Sequence, residues 1–236
     1  MVELPSSGRW NGTGFRNFYT CYPSQDLFDD LSDNLSDFSA AHLLSERTKT
    51  ISMLSTSYTV PFSYGEIPEI LKGLVPSWHL GRFGDGLNYA IWYGSTDRET
   101  SIAETFFHQE KKFFAEKNFM KESQFISHRK MISVNITGEH FLDARECVNK
   151  YPQLMSSEDY TFCQQFGAIS RSRGDDGIIS ASVRHATAAN VNLFNHKCFL
   201  ETDRFCCYLR FVFEENKAPR ILMGDFKDIT SNIVGL

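Results

Sequence analysis

The sequence predicts an α+β fold: a single mixed-sheet domain carrying an N-terminal helical arm. Three observations support that reading. Strand-like runs ("IISASVRH", "VNLF", "RFCCYLRFVF" and "RILMG") outnumber helical ones after residue 175, which does not fit a regular series of βαβ units. A nearly continuous apolar and aromatic run, "NYAIWYGS", has the composition of a strand covered on both faces, and it leads straight into a long amphipathic helix. The 21 phenylalanines point to a core built on aromatic packing.

The first 40 or so residues read as an irregular arm. Within it "SQDLFDDLSDNLSDFS" places Leu27, Phe28, Leu31, Leu35 and Phe38 at helical spacing with an acidic outer face, a decorated surface helix or a docking or inhibitory segment. Two further helices are expected, in "AAHLLSERTKTISML" and in "IPEILKGLVP", the latter with Pro68 in its first turn and Pro76 past its end. Residues 1–75 thus form an arm with helices, and residues 76–236 form the main domain. In that domain Thr96, with Glu99 three residues later, has the form of a capping box, and Asp97 also suits a helix start. The helix is expected through "RETSIAETFFHQEKKFFAEKN". "KMISVNIT" reads as a strand, and "SSEDYTFCQQFGAISRSR" as a helix led by Ser156 or Ser157.

Composition narrows the function. The formal net charge of −5 argues against a nucleic-acid binder that works by counterion release. No segment approaches the ~20 consecutive apolar residues of a membrane helix. The opening "MVELPSSGRWNGTG" has no basic region followed by an apolar run, so a cytoplasmic site of action is expected, with export as an effector the second possibility. The six cysteines follow neither a CxxC spacing nor a disulfide rhythm and read as reduced thiols, and no metal site is expected. Glu104 and His108 lie four apart, as an ordinary polar pair on one helical face does.

The residues with chemical promise are few. Ile102, Ala103, Phe106, Phe107, Phe113 and Phe114 share an apolar arc, which puts Glu104 at the border between core and water. Arg82 stands between Gly81 and Gly84, where the backbone can approach a ligand and a guanidinium can grip a phosphate. Alternation sends Tyr89, Ile91 and Tyr93 one way and Ala90 and Trp92 the other. Ser182 ends a strand and is followed by Arg184 and His185, with no GxSxG around it to make a nucleophile elbow.

"GRF" followed by "WYGS", then "SIAETFFH", then "DGIISASVRH" with "VNLFN" downstream, resembles the RES-domain family, named for its arginine, glutamate and serine in that chain order. The resemblance spans roughly residues 78–200 and implies a RES-like catalytic domain, similar in fold to ADP-ribosyltransferase toxins, that degrades NAD. It carries the family arginine to Arg82, the tyrosine to Tyr93, the glutamate to Glu104 and the serine to Ser182. Arg9, in "SGRWNGTG", is the rival for the first position, but Arg82 stands just ahead of the aromatic strand, as the family places it. Ala181 precedes the serine where proline is common.

The resemblance further implies NAD+ as substrate rather than a resident cofactor, inorganic phosphate as a possible co-substrate, and a cognate antitoxin as a possible partner. Glu104 would stabilise positive charge at the ribose and Arg82 would hold the pyrophosphate. Tyr93 would wall the nicotinamide, Ser182 would bond the ribose or phosphate, and Arg184 or His185 would help with phosphate. Water, phosphate or a protein side chain as acceptor would make a glycohydrolase, a phosphorylase or a protein ADP-ribosyltransferase. Ile102, where paired-acid transferases carry a second glutamate, weakens the last. A non-catalytic NAD or ADP-ribose-binding module and an interaction protein recruiting through the acidic arm are the readings outside enzymology.

Overall fold

A computed structural model describes residues 2–19, 81–86, 88–116, 124–185, 187–200, 204–224 and 227–233. The expected arm helix and the helices at residues 40–54 and 67–76 lie outside the described residues, as does Cys21.

The architecture is α+β, as expected. Among the described residues eight strands, β1 (Gly8–Tyr19), β2 (Trp92–Ser95), β3 (Gln124–Asp143), β4 (Gly177–Ala181), β5 (Ala189–Leu193), β6 (Arg204–Glu214), β7 (Arg220–Met223) and β8 (Lys227–Asp228), join in the order β1-β2-β5-β4-β3-β6-β7-β8. The β3–β4 pair is parallel and the other pairs are antiparallel, so the sheet is mixed. Because β1 also pairs with β3, the circuit β1-β2-β5-β4-β3 closes on itself. One core cluster is drawn from all five of these strands: Phe18, Trp92, Ile132, Val134, Ile136, Phe141, Ile179, Val191 and Leu193. Apolar residues at alternate positions of each strand therefore face the inside of a closed ring, and the intervening positions face outward.

The first strand corrects the reading of residues 8–19 as irregular arm. β1 pairs with β3 from Gly8↔Phe141 to Tyr19↔Arg129. Its glycines mimic a loop, but Gly14 serves close packing. A Cβ on Gly14 would stand 2.6 Å from Ile136 Cδ1 and 2.9 Å from the Trp92 ring.

Among the described residues two α-helices cover the outer face: α1 (Arg98–Glu116) and α2 (Thr161–Arg173). Under α1, Ile102, Ala103, Phe106 and Phe113 pack on Met131, Leu209, Phe211 and Phe213, with Phe106–Phe213 and Phe113–Phe213 centroids 5.4 and 5.7 Å apart. This is the aromatic core that the phenylalanine count foretells. Phe114, assigned to the same arc, is 56 % exposed, because it lies about 100° round the helix from Phe113. Under α2, Phe166 and Cys163 pack with Phe83, Ile91, Leu142 and Ile178.

Several element ends differ from expectation, each for a local reason. The Asp97 side chain, not Thr96, caps α1: its Oδ1 accepts the Thr100 N–H at 2.8 Å. Thr96 is held by the sheet, both its N–H (2.9 Å) and its hydroxyl (3.0 Å) donating to the Ala189 carbonyl. β2 is shorter than "NYAIWYGS", since Asp85 draws Asn88 into a turn by accepting its N–H at 3.0 Å. α2 starts at Thr161 rather than near Ser156, which instead accepts the Asp159 N–H at 3.0 Å. β4 stops at Ala181, because Ser182 begins a turn of its own.

Candidate active site

Period-two geometry gathers the polar residues of three adjacent ring strands on the outer face. The register aligns Ser95 with Asn190, Tyr93 with Asn192 and Ser180 with Asn190, while Trp92, Ile179 and Val191 point inward. Helix α1 crosses above this face and brings Glu104 down to it.

The half-buried Glu104 meets two donors at one oxygen. Ser182 Oγ donates to Glu104 Oε1 at 2.8 Å, and Asn190 Nδ2 donates to the same atom at 2.8 Å. Ser182 is buried, and its hydroxyl oxygen accepts the N–H groups of Arg184 (3.1 Å) and His185 (3.0 Å). Its proton is thus committed to Glu104 and its oxygen to the backbone. That arrangement suits a fixed hydrogen-bond relay and not an attacking nucleophile. The nearby imidazole does not act on Ser182 either: His185 Nδ1 shares a 2.8 Å hydrogen bond with Thr100 Oγ1 and lies 3.9 Å from Asp97 Oδ1. The turn 182–185 is thereby pinned to the start of α1, beside the helix that carries Glu104.

Arg82 approaches the same place from the other side. Its Nη1 donates to the carbonyl of Ala181 at 3.1 Å, one residue before Ser182, and its Nη2 donates to the Leu154 carbonyl. The guanidinium joins the 81–86 loop, the end of β4 and the turn before α2. The loop itself is gripped on both sides. The Phe83 N–H donates to Tyr93 Oη at 3.1 Å, and Tyr89 Oη donates to the Phe83 carbonyl at 2.6 Å. Burial pushes both phenols up, Tyr89 to about 12 with Asp85 adding to the effect, so both stay neutral. Gly81 is needed here, since a Cβ would stand 2.2 Å from Tyr93 Oη. Helix α2 completes the clamp: Gln164 Nε2 donates to the Gly81 carbonyl at 3.0 Å, and Gly167 lets the Phe83 carbonyl approach.

The sequence-derived residues thus fall into linked groups. Glu104, Ser182 and the backbone of Arg184 and His185 form one hydrogen-bonded unit, to which Arg82 is joined through Ala181. Tyr93 buttresses the Arg82 loop through its hydroxyl. The Arg184 side chain turns outward, its guanidinium carbon 3.4 Å from the Phe107 ring centroid and its Nη2 on the Ser157 carbonyl at 2.9 Å. Arg9 lies elsewhere, on an exposed strand end, 3.4 Å from Glu139. Asn190 and Ser95 are partners that the sequence reading did not name. The available signal was the alternation of Asn190 and Asn192 with Val191 and Leu193, polar residues on one face of an otherwise apolar strand. Among the described residues no group of three or more His, Cys, Asp or Glu side chains has a metal-binding arrangement, and no helix is long and apolar enough to cross a membrane.

Comparison with family models matches the RES domain over residues 54–214, well over half of the chain. The chain belongs to the RES-domain family. The RES match contains Arg82, Tyr93, Glu104 and Ser182 and begins after Arg9. No curated protein matches the chain. Among solved structures, the chain is similar to one from the Mycobacterium tuberculosis MbcT–MbcA toxin–antitoxin complex, at 14 % identity and a TM-score of 0.49, covering 87 % of this chain and 86 % of that one.

Proposed function

We propose that this RES-domain protein degrades NAD+ by cleaving the nicotinamide–ribose bond, with Glu104 as the catalytic carboxylate. The observation that supports it is the convergence of Ser182 Oγ and Asn190 Nδ2 on Glu104 Oε1, within the span matched by the RES domain. Cleavage of an N-glycosidic bond builds positive charge on the sugar. A carboxylate already held by two donors needs little reorganisation to face that charge, and a half-buried setting strengthens the interaction. Ser182 holds the carboxylate, while Arg82 shapes the adjoining loop and supplies the positive charge that suits a pyrophosphate.

Water as acceptor gives a glycohydrolase and inorganic phosphate gives a phosphorylase. Transfer to an arginine side chain is disfavoured by Ile102, which is 3 % exposed and packed in the core where a paired acid would stand. The biological part of the proposal, a toxin or effector that depletes NAD+ and is held in check by a cognate antitoxin, rests on the family resemblance.

The test is nicotinamide release from NAD+ by purified protein, with and without inorganic phosphate, beside Glu104→Gln. Release that falls by about 10²–10³-fold in the variant is expected from loss of the developing-charge interaction. Its dependence on phosphate separates the two acceptors. A folded wild-type protein that binds NAD+ without releasing nicotinamide would identify a binding module instead.

A further inference from the structure

We infer that Asn190 is a positioning residue for Glu104, and that Ser95 sets the direction of its amide. This deepens the proposed NAD+-cleaving function and rests on it. Asn190 is half-buried on β5 and its side chain spans two groups. Its Nδ2 donates to Glu104 Oε1 at 2.8 Å, and its Oδ1 accepts from Ser95 Oγ at 2.8 Å. An asparagine amide alone has two near-equivalent orientations, and only one offers a donor to the carboxylate. The Ser95 hydroxyl removes the ambiguity by occupying the oxygen end. The cross-strand register explains the arrangement: Ser95 of β2 and Ser180 of β4 are both aligned with Asn190, so the amide sits at the centre of three strands with its ends fixed.

The consequence is a carboxylate with its two oxygens in different states. Oε1 accepts from Asn190 and Ser182, whereas Oε2 has no hydrogen bond from a described residue. A carboxylate oxygen so left is the one available to a ribose hydroxyl. The relay Ser95–Asn190–Glu104–Ser182 therefore fixes the rotamer of the carboxylate. The charged and titratable groups facing Glu104 are His108 one turn along α1, Arg184 over Phe107 and, at the far end of the 182–185 turn, the His185–Asp97 pair.

The experiment compares Asn190→Ala, Asn190→Asp and Ser95→Ala with wild type by steady-state nicotinamide release across pH, by thermal unfolding, and by the NMR titration of the Glu104 side-chain carboxyl carbon. Asn190→Ala is expected to lower kcat by about 10²-fold with KM little changed, because the residue acts through Glu104. Asn190→Asp sets two carboxylates at hydrogen-bond distance, which then share a proton. The acid limb of its pH–rate profile and the Glu104 titration both move to higher pH. Ser95→Ala gives a smaller loss in kcat in the same direction.

Variants that lose only thermal stability, with kcat, pH profile and Glu104 titration as in wild type, would overturn the inference. The NMR arm decides it even if wild type releases no nicotinamide, so failure of the positioning role and failure of the proposed activity remain distinguishable.

Discussion

The chain contains two short segments of nearly the same wording, Gly8-Arg9-Trp10 and Gly81-Arg82-Phe83, and they behave differently. Arg9 stands on the open end of β1 with a partner, Glu139, as exposed as itself, at 70 % and 67 %. A side chain at Gly8 would meet nothing within 4 Å. In the second segment Phe83 is fully buried, Gly81 lies against Tyr93, and Arg82 bonds two carbonyls from distant parts of the chain. The motif is the same; the surroundings assign one copy to the surface and the other to the site. An arginine acquires a role when other elements supply acceptors and exclude water around it.

Paired substitutions sharpen this contrast. The largest effect is expected from Phe83→Ala, which removes a fully buried ring between α2 and the loop. It should cost about 3–5 kcal/mol in urea unfolding and take NAD+ cleavage with it. Arg82→Ala comes next. Losing two charge-assisted hydrogen bonds, at roughly 1.5–3 kcal/mol each, should destabilise by about 3 kcal/mol or more and abolish nicotinamide release. Arg9→Ala should leave both measurements near wild type, since exposed ion pairs contribute about 0–1 kcal/mol. Equal losses in the two arginine variants would erase the distinction.

Gly81→Ala should cost about 1–3 kcal/mol by forcing Tyr93 to shift, while Gly8→Ala stays within about 0.5 kcal/mol. Thermal unfolding of the pair checks this. Tyr93→Phe, which strips the acceptor from the Phe83 amide, belongs at the lower end of the same 1–3 kcal/mol range. A Tyr93→Phe protein as stable as wild type would mean that water replaces the phenol there.

Much was legible before folding because it is local. The amphipathic period of α1 identifies Ile102, Ala103, Phe106 and Phe113 as its buried face, though it also takes in the half-buried Phe107 and the exposed Phe114, and it leaves Glu104 at the border, where it is found. Alternation through "YAIWY" separates Tyr89, Ile91 and Tyr93 from Trp92, and the two sets do enter different clusters. The chain order of Arg82, Glu104 and Ser182 pointed to the family. Propensity and spacing act over a few residues, and a single sequence displays them.

What only the tertiary structure decided depends on partners far apart in the chain. β1 looked irregular partly because Gly14 is justified only by Trp92 and Ile136, more than 75 positions downstream. Thr96 lost the capping role to Asp97 because the Ala189 carbonyl claims it. Asn190 became Glu104's second donor, and Arg82 a tie to Ala181 and Leu154, only through strand register and loop closure. Sequence alone determined which residues face a core and which chemistry is available. The closing of five strands into a ring determined which of those residues meet, because pairing register is a property of two segments and is written in neither alone.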